Sequence, residues 1–202
     1  MNSIKPIILL NTAIDASKKA GFHALNEIGR REEYVAIDSH DVKLVLDMEC
    51  QKIAEESILQ NFPEHSIIGE EGEKISSEKT YEWIIDPIDG TVNFTHGFSH
   101  WCCSIAVRYK GEVIAGAVFA PKSNDLYAAT IDSPSTLNDQ IIKPSHTSDI
   151  SKSMVFTGLN QKTKKLSSTF DIFKDLALKT QKVRITGSAA LDICHVAAGK
   201  TD

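Results

Sequence analysis

Long hydrophobic runs are absent from this chain of 202 residues. A helix that crosses a bilayer needs about 20 consecutive apolar residues, and no stretch here approaches that length. The first apolar stretch, Ile7–Leu10, is also too short for a secretory signal peptide, and no cleavage site of small residues follows it. The sequence therefore predicts a cytoplasmic protein that does not act in a membrane.

Paired cysteines are missing as well. The four cysteines are Cys50, Cys102, Cys103 and Cys194, and no two of them form a Cys-x-x-Cys motif. Their spacing indicates neither a structural zinc site nor a disulfide framework. We expect four free thiols in a reducing compartment.

An excess of positive charge is the third absence. Lys and Arg total 22 against 27 Asp and Glu, so the formal net charge is −5. A nucleic-acid surface needs a basic patch, and this balance argues against one. A small anionic substrate is not excluded, because a bound metal ion inverts the local field. The length suits one sizeable domain or somewhat more.

The most informative segment is Trp83–Phe94, which reads Trp-Ile-Ile-Asp-Pro-Ile-Asp-Gly-Thr-Val-Asn-Phe. Its apolar start predicts a buried strand that delivers Asp86 and Asp89 at its end. Pro87 fixes φ between the two acids, and Gly90 permits a tight turn or a close approach to a ligand. Two carboxylates on a rigid junction suit a hard divalent cation such as Mg²⁺, which takes oxygen ligands.

A second pair of acids, Glu70 and Glu71, follows another short apolar run within Ile67–Gly72. Acids at two strand ends predict a two-metal site. The alternative is a solvated acidic surface, which we disfavour because surface acids seldom follow apolar strand runs directly.

Hydrophobic periodicity predicts a first helix, capped by Ser3, that buries a stripe of residues at helical spacing: Ile7, Leu10, Ile14, Gly21, Leu25 and Ile28. A second helix, Met48–Asn61, would be capped by Asp47. Apolar and alternating runs predict strands at Tyr34–Ile37, Val42–Leu46, Ser66–Gly69, Glu82–Ile85, Cys102–Tyr109, Glu112–Ala120 and Asp125–Thr130, then a short hairpin at Thr136–Ile142. The polar segment Glu73–Thr80 is expected to be a loop.

The pattern changes near Pro144–Ser151. Beyond it, strands and helices alternate, at Ser153–Thr157, Lys165–Lys179, Lys182–Ile185 and Ser188–Ala198. Such alternation predicts a parallel layer. We therefore expect an α+β subdomain over residues 1–145 that carries the metal site, and the start of an α/β subdomain over residues 146–202.

Four elements resemble the inositol monophosphatase family of Mg²⁺-dependent, lithium-sensitive phosphatases. They are Gly-Glu-Glu at Gly69–Glu71, the long motif at Trp83–Phe94, the acids Asp41 and Asp47, and the segment Gly187–Asp192. The long motif is highly specific, whereas Gly-Glu-Glu alone is weak. The resemblance runs from about Asp41 to the last residue and implies a layered αβαβα fold of the sugar-phosphatase type.

Two features depart from the family pattern. Family members usually continue through a Trp-Asp-x-Ala-Ala-Gly motif whose Asp is a metal ligand, whereas this chain ends at Asp202 before such a motif. The expectation is a C-terminally truncated member with an incomplete α/β subdomain. Many members also carry a lysine a few residues before the first acid of the upstream element, and Ala36–His40 contain none.

The resemblance also assigns the metal ligands. Asp86 would bridge two Mg²⁺ ions. Glu70 and the carbonyl of Ile88 would complete one site, and Asp89 would serve the other. Glu71 would be a nearby support.

Catalytic and substrate-binding roles follow from the same resemblance. The Thr91 hydroxyl, oriented by Asp47, would position a metal-activated water for in-line attack on phosphorus, with Glu70 as the third catalytic residue. The implied substrate contacts are Glu70, Ile88, Asp89, Gly90, Thr91, Gly187, Ser188 and Ala189. From the residues alone, a plain helix cap is the favoured interpretation of Asp47, and an ordinary capped helix start is an equal alternative for Gly187–Ala189.

The implied function is Mg²⁺-dependent hydrolysis of a small phosphorylated polyol or sugar, most of all inositol monophosphate, with inhibition by lithium. A homodimer is also implied. Other sugar or nucleotide phosphatases of the same superfamily are the alternative.

Two rival functions stay open. Haloacid-dehalogenase-type phosphatases place Asp-x-Asp-Gly-Thr after an apolar strand and use the first Asp as a nucleophile. Here two residues separate Asp86 from Asp89, and Gly-Glu-Glu has no place in that mechanism. The second rival is a non-catalytic fragment that binds a metal or a protein partner without turnover.

Overall fold

The computed structural model describes residues 4–38, 41–71, 75, 78–158 and 166–202. The predicted cap Ser3, the middle of the predicted loop Glu73–Thr80 and the predicted helix start at Lys165 lie outside the described residues. Of Asp41, in the upstream acidic element, only the backbone is described.

The described chain forms five α-helices and eleven strands. The helices are α1 (Pro6–Asn26), α2 (Val45–Asn61), α3 (Thr91–Thr95), α4 (Leu166–Lys179) and α5 (Ala189–Ala197). The strands are β1 (Tyr34–Asp38), β2 (Asp41–Leu44), β3 (His65–Gly69), β4 (Glu78–Asp89), β5 (Cys102–Tyr109), β6 (Glu112–Ala120), β7 (Asp125–Thr130), β8 (Ser133–Leu137), β9 (Gln140–Ile141), β10 (Met154–Phe156) and β11 (Lys182–Arg184). No helix in this part of the chain is long and apolar enough to cross a bilayer.

Seven strands form the central sheet in the order β3-β4-β5-β6-β7-β8-β9. Its first pair, β3 and β4, is parallel and every later pair is antiparallel, so the sheet is mixed. The hairpin β1–β2 and the parallel pair β10–β11 form two smaller sheets. This architecture confirms the predicted fold class, an antiparallel meander followed by a parallel layer.

Helix α1 buries most of the predicted stripe and a wider face beside it. Leu10 and Gly21 are buried, Ile14, Leu25 and Ile28 pack against the core, and Ile7 is 52% exposed. The fully buried apolar positions, which the predicted stripe did not include, are mostly alanines: Leu9, Ala13, Ala16, Ala20 and Ala24. Small side chains suit this face because α1 packs against both α2 and β6, and the side chains at a contact set how closely a helix approaches.

Helix α2 begins earlier than predicted, at Val45, so the preceding strand is shorter. Leu44 occupies the N-cap position, and Asp47 lies inside the first turn. Asp47 is therefore not the cap residue. Its Oδ2 accepts a hydrogen bond from the Leu44 N–H at 2.9 Å. This is the capping-box bond in which the N3 side chain accepts from the backbone of the N-cap residue.

Strand β4 is longer than the predicted Glu82–Ile85 and includes Glu78–Thr80, which were expected in a loop. Its pairing with β5 is interrupted between Asp86 and Asp89, because Pro87 has no N–H to give to the ladder. The two acids thus stay on one strand, at an irregularity in its pairing. The proposed subdomain division at residues 145 and 146 stays a prediction.

Candidate active site

Strand pairing brings the two acidic elements together. In the parallel pair β3–β4, Gly69 lies opposite Ile85, and the N–H of Glu70 donates to the Ile85 carbonyl at 3.0 Å. Because paired parallel strands run in the same direction, Glu70 leaves β3 beside Asp86 of β4. The two acids are neighbours in space although they are far apart in the chain.

Asp86 lies in an environment that disfavours its charge. Its Oδ1 atom is buried and has no hydrogen-bond partner. Burial, together with the nearby charges of Glu70 and Asp89, raises the pKa of Asp86 to about 9. A buried carboxylate oxygen without a partner costs free energy. A hard cation is a ligand that would satisfy it.

A cavity of about 210 Å³ opens beside Asp86. Its lining joins both acidic elements to the last predicted segment: Glu70, Asp86, Ile88, Asp89, Gly90, Thr91, Val92 and Gly187. The structure therefore brings most of the predicted site residues to one place. The remaining ones, Asp47, Glu71, Ser188 and Ala189, are not part of this lining.

The donor set of the cavity fits a hard divalent cation. The carboxylates of Glu70 and Asp86 and the carbonyl of Ile88 offer oxygen only, as Mg²⁺ prefers. Within the described part of the chain, however, no three His, Cys, Asp or Glu side chains stand in a ready metal-binding group.

Both carboxylate oxygens of Asp89 face the start of α5. Its Oδ2 accepts hydrogen bonds from the Ser188 hydroxyl at 2.5 Å and the Ala190 N–H at 2.7 Å. Its Oδ1 accepts one from the Ala189 N–H at 3.2 Å. A carboxylate here satisfies free N–H groups and complements the helix dipole. Asp89 thus anchors α5 at the cavity, and its part in binding a metal stays a prediction.

Ser188 does not make an ordinary helix cap. It occupies the N-cap position of α5, but its side chain makes no capping bond to the helix. It is 1% exposed and donates to Asp89 instead. The ordinary capped start considered for Gly187–Ala189 is therefore wrong. Contacts of Ser188 and Ala189 with a substrate stay predictions.

Asn93 ties the long motif to the same segment. Its Nδ2 donates to the carbonyl of His100 at 2.7 Å and to the carbonyl of Thr186 at 2.8 Å. Thr186 directly precedes Gly187, which lines the cavity. The long motif therefore carries the acids and also holds the chain that faces them.

Asp47 lies close to Glu70 and Glu71 and does not bond Thr91. It is 2% exposed, its Oδ1 has no partner, and burial raises its pKa to about 7, with Glu71 and Glu70 adding to the shift. The Thr91 hydroxyl donates to the Ile88 carbonyl at 2.9 Å. The expected Thr91–Asp47 pair is thus not a direct hydrogen bond, and joint action on a water stays a prediction.

A helix does begin at Thr91, as phosphate binding by the Gly90 and Thr91 amides would require. This helix, α3, has 5 residues, with Gly90 at its N-cap. So short a helix has a small dipole. Phosphate binding by these two amides stays a prediction.

Comparison with protein families identifies the family of this chain. The sequence model of the inositol monophosphatase family matches residues 8–202. The chain belongs to the inositol monophosphatase family. Membership supports phosphatase activity and excludes the haloacid-dehalogenase rival, which belongs to a different family with an aspartate nucleophile.

Individual members of the family agree with this assignment. A Vibrio cholerae protein named Nus factor SuhB is 36% identical over 198 residues, covering 96% of this chain and 74% of that protein. The structure of extragenic suppressor protein suhB from Bartonella henselae aligns with a TM-score of 0.93 at 27% identity, covering 96% of this chain and 76% of that chain. Inositol monophosphatase from Anabaena aligns with a TM-score of 0.87 at 31% identity, covering 98% and 74%. These structures confirm the layered fold.

Sequence reasoning missed Lys43, a cation beside the inositol monophosphatase acids. Its Nζ on β2 forms an ion pair with Glu71, and it lies opposite Ala36 in the hairpin. A lysine thus lies opposite Ala36 on the facing strand. Pairing the predicted strands Tyr34–Ile37 and Val42–Leu46 with each other would have given the signal, because opposed residues of antiparallel strands share a face.

Sequence reasoning also missed Gln51, which bonds the backbone of Glu71. The signal was its spacing on α2. Asp47, Gln51 and Glu55 recur every four residues, which places their side chains on one helix face.

The raised pKa of Asp86 predicts how pH affects the stability of the metal-free protein. In the unfolded chain Asp86 ionises near pH 3.8, whereas in the folded protein it keeps its proton up to about pH 9. Between these values the folded state binds more protons, so the free energy of unfolding falls as pH rises. Thermal melts in EDTA should therefore lose more Tm between about pH 5 and about pH 9 for the natural protein than for Asp86→Asn. Equal slopes would contradict the raised pKa.

Proposed function

We propose that this chain is a Mg²⁺-dependent phosphomonoesterase that hydrolyses inositol monophosphate. The observation that carries the proposal is the buried, unpartnered Oδ1 of Asp86, next to Glu70 and a cavity. The similarity to the Anabaena structure, which is that of an inositol monophosphatase, supports this substrate. Phosphate esters of other small polyols and sugars are the alternative substrates.

In this proposal Glu70, Asp86 and the carbonyl of Ile88 hold the first cation. Asp89 holds a second one by giving up hydrogen bonds to the start of α5. Bound cations would neutralise the phosphoryl oxygens and lower the pKa of the attacking water. Glu71, paired with Lys43, supports the site from behind.

Thr91 and Asp47 are the proposed residues that place the water. The Thr91 hydroxyl donates its hydrogen bond to the Ile88 carbonyl. Its oxygen can therefore accept a hydrogen bond on the cavity side. Asp47 is buried close to Glu70 and Glu71, and in this proposal it orients the water that Thr91 holds. Gly187 and the α5 start would face the alcohol half of the substrate.

Glu70→Gln and Thr91→Ala should lower kcat far more than they raise KM. Both side chains act on the water and the transition state, and uniform binding of the substrate changes KM alone. We expect each to lower kcat by about 100-fold or more, the range for a lost proton-transfer group. Thr95→Ala is the matched control, because Thr95 is buried on the same helix and donates to the Val92 carbonyl. A change in KM alone would contradict the roles of Glu70 and Thr91.

A panel of phosphomonoesters tests the proposed function. Phosphate release is measured from inositol monophosphate, sugar phosphates, histidinol phosphate and phosphoadenosine nucleotides, with Mg²⁺ or with EDTA. We expect the highest kcat/KM for inositol monophosphate, no turnover in EDTA and inhibition by lithium. Equal turnover in EDTA would contradict the metal-dependent site. A higher kcat/KM for another ester would show that this ester, and not inositol monophosphate, is the preferred substrate.

Two proposals concern the surroundings of the protein. All four cysteines are free thiols, which supports a location in the reducing cytoplasm. Homodimer formation rests on the family resemblance alone, and light scattering of the purified chain measures it.

The names of the relatives favour a second candidate function. The Vibrio cholerae relative is named a Nus factor, so a role in transcription is a candidate for this chain, with a macromolecular partner and without need of turnover. Asp86→Asn separates the two candidates. If it loses phosphate release but still replaces SuhB in a transcription reaction reconstituted with Nus factors, that role is independent of the chemistry.

A further inference from the structure

Gln51 on helix α2 contacts the backbone of the Gly-Glu-Glu element. Its side chain is buried, at 4% exposure. The N–H of Glu71 donates to Gln51 Oε1 at 2.7 Å, and Gln51 Nε2 donates to the Glu71 carbonyl. One carboxamide thus pairs with both polar atoms of one backbone residue, as a neighbouring strand does in a hydrogen-bonded pair.

A third hydrogen bond sets the orientation of this carboxamide. Nε2 also donates to Oε1 of Glu55, one turn further along α2, at 2.8 Å. A flipped carboxamide would point its oxygen at the Glu71 carbonyl and the Glu55 carboxylate, which are both acceptors. The three bonds therefore allow a single orientation.

Gly69 leaves room for the same contact. A Cβ atom at residue 69 would lie 2.2 Å from Cδ and Nε2 of Gln51. Gln51 thus packs on the chain at Gly69 and bonds it at Glu71, on either side of Glu70. The N–H of Glu70 itself is bonded to Ile85 of β4, the strand that carries Asp86.

These contacts restrain Glu70 from two directions. Strand β4 holds it on one side and helix α2 on the other, while Glu70 and Asp86 line the same cavity. Like charges repel, so an exposed carboxylate on a free chain would move away from Asp86. A restrained backbone keeps the two acids within reach of one ligand.

We propose that Gln51 is a positioning residue that keeps the Glu70 carboxylate at the separation from Asp86 that a shared cation requires. The inference rests on the proposed metal site and names the residue that preorganises it. Gln51 touches neither cation nor substrate and acts through the Glu71 backbone.

Gln51→Met is the first test, because Met keeps the side-chain length and removes all three hydrogen bonds. Calorimetric Mg²⁺ affinity should weaken about 10- to 100-fold, the range for lost support of a metal ligand. In EDTA the Glu71 amide proton should exchange faster, since it loses its acceptor. Gly69→Ala displaces the carboxamide without changing residue 51, so it should give the same loss and add little to Gln51→Met.

Ser57→Ala is the matched control. Ser57 is another buried polar residue of α2, and its hydroxyl donates to Asp15 at 2.7 Å. It should lower Tm and leave Mg²⁺ affinity unchanged. In a Glu70→Gln background, Gln51→Met should have little further effect, because the ligand that it positions is gone.

The outcomes separate this inference from the proposed function. If the natural protein binds Mg²⁺ and Gln51→Met binds it equally well, Gln51 does not position Glu70, and the metal site still stands. An additive loss in the Glu70→Gln background would overturn the inference too, since it would show a general destabilisation. If the natural protein binds no Mg²⁺, the proposed function fails and the inference fails with it.

Discussion

Asp86→Asn is expected to lower phosphate release by about 1,000-fold or more without unfolding the protein. Asp86 lies among the charges of Glu70 and Asp89, and asparagine removes the negative charge that would bind a cation there. Metal coordination contributes several kcal/mol to the transition state, and each 1.36 kcal/mol is tenfold in rate. The fold should persist, because a carboxyl with a pKa of about 9 is uncharged at neutral pH before a cation binds.

Phosphate release, Mg²⁺ calorimetry and thermal melts together measure this effect. Asp132→Asn is the control, since Asp132 is exposed in the turn after β7 and undergoes the same substitution. It should leave all three quantities unchanged. Full Mg²⁺-dependent turnover by Asp86→Asn would show that the metal assignment is wrong.

Gly90→Ala is expected to destabilise the fold by about 3 kcal/mol and to lower activity. Gly90 has φ 95° and ψ 38°, a left-handed conformation in which a Cβ costs about 1 kcal/mol or more. That Cβ would also lie 3.0 Å from the His100 carbonyl oxygen and 3.3 Å from the Gly187 carbonyl oxygen. Backbone atoms cannot rotate away as a side chain can, so the strained chain would shift Asp89 and Thr91.

Gly111→Ala separates the two contributions. Gly111 has φ 92°, and nothing lies within 4 Å of a Cβ built on it. Gly111→Ala should therefore lose only the stability that a Cβ costs in a left-handed backbone conformation. Thermal melts should show a clearly larger loss of Tm for Gly90→Ala. Equal losses would mean that the close approach of His100 and Gly187 does not matter.

The meander is the part of the fold that local sequence predicts best. Strands β5, β6 and β7 begin and end at the predicted residues. The turns between them carry Lys110, Gly111 and Asn124 in positive-φ conformations, which are typical of residues at tight turns. Alternation and turn residues are both local, so no knowledge of the rest of the fold was needed.

The width of the buried face of α1 was not predictable in this way. The predicted stripe is buried or packs on the core except at Ile7, but the alanines beside it are fully buried as well. Helix α1 packs against two partners, α2 and β6. The width of the buried face depends on how closely these partners approach, which the helix sequence alone does not contain.

The same distinction between local pattern and long-range contact applies to the candidate site. Glu70, Asp86, Ile88 and Thr91 could be placed together because they lie within a few residues of two neighbouring strand ends. The anchoring of α5 by Asp89 joins residues about a hundred positions apart, and no local pattern marks such a bond. Lys43 and Gln51 reach the acids from a hairpin and a helix whose approach is set by the whole core.

The bond from the Glu70 N–H to the Ile85 carbonyl has an evolutionary consequence. It aligns the acids through the pairing of β3 with β4, so the number of residues that link the two strands does not enter the geometry. Lengthening a connection between two elements costs little free energy. Changes of length between Glu71 and Glu78 that keep the two backbone hydrogen bonds between Ile75 and Ile67 should therefore be tolerated, because they leave the acids in register.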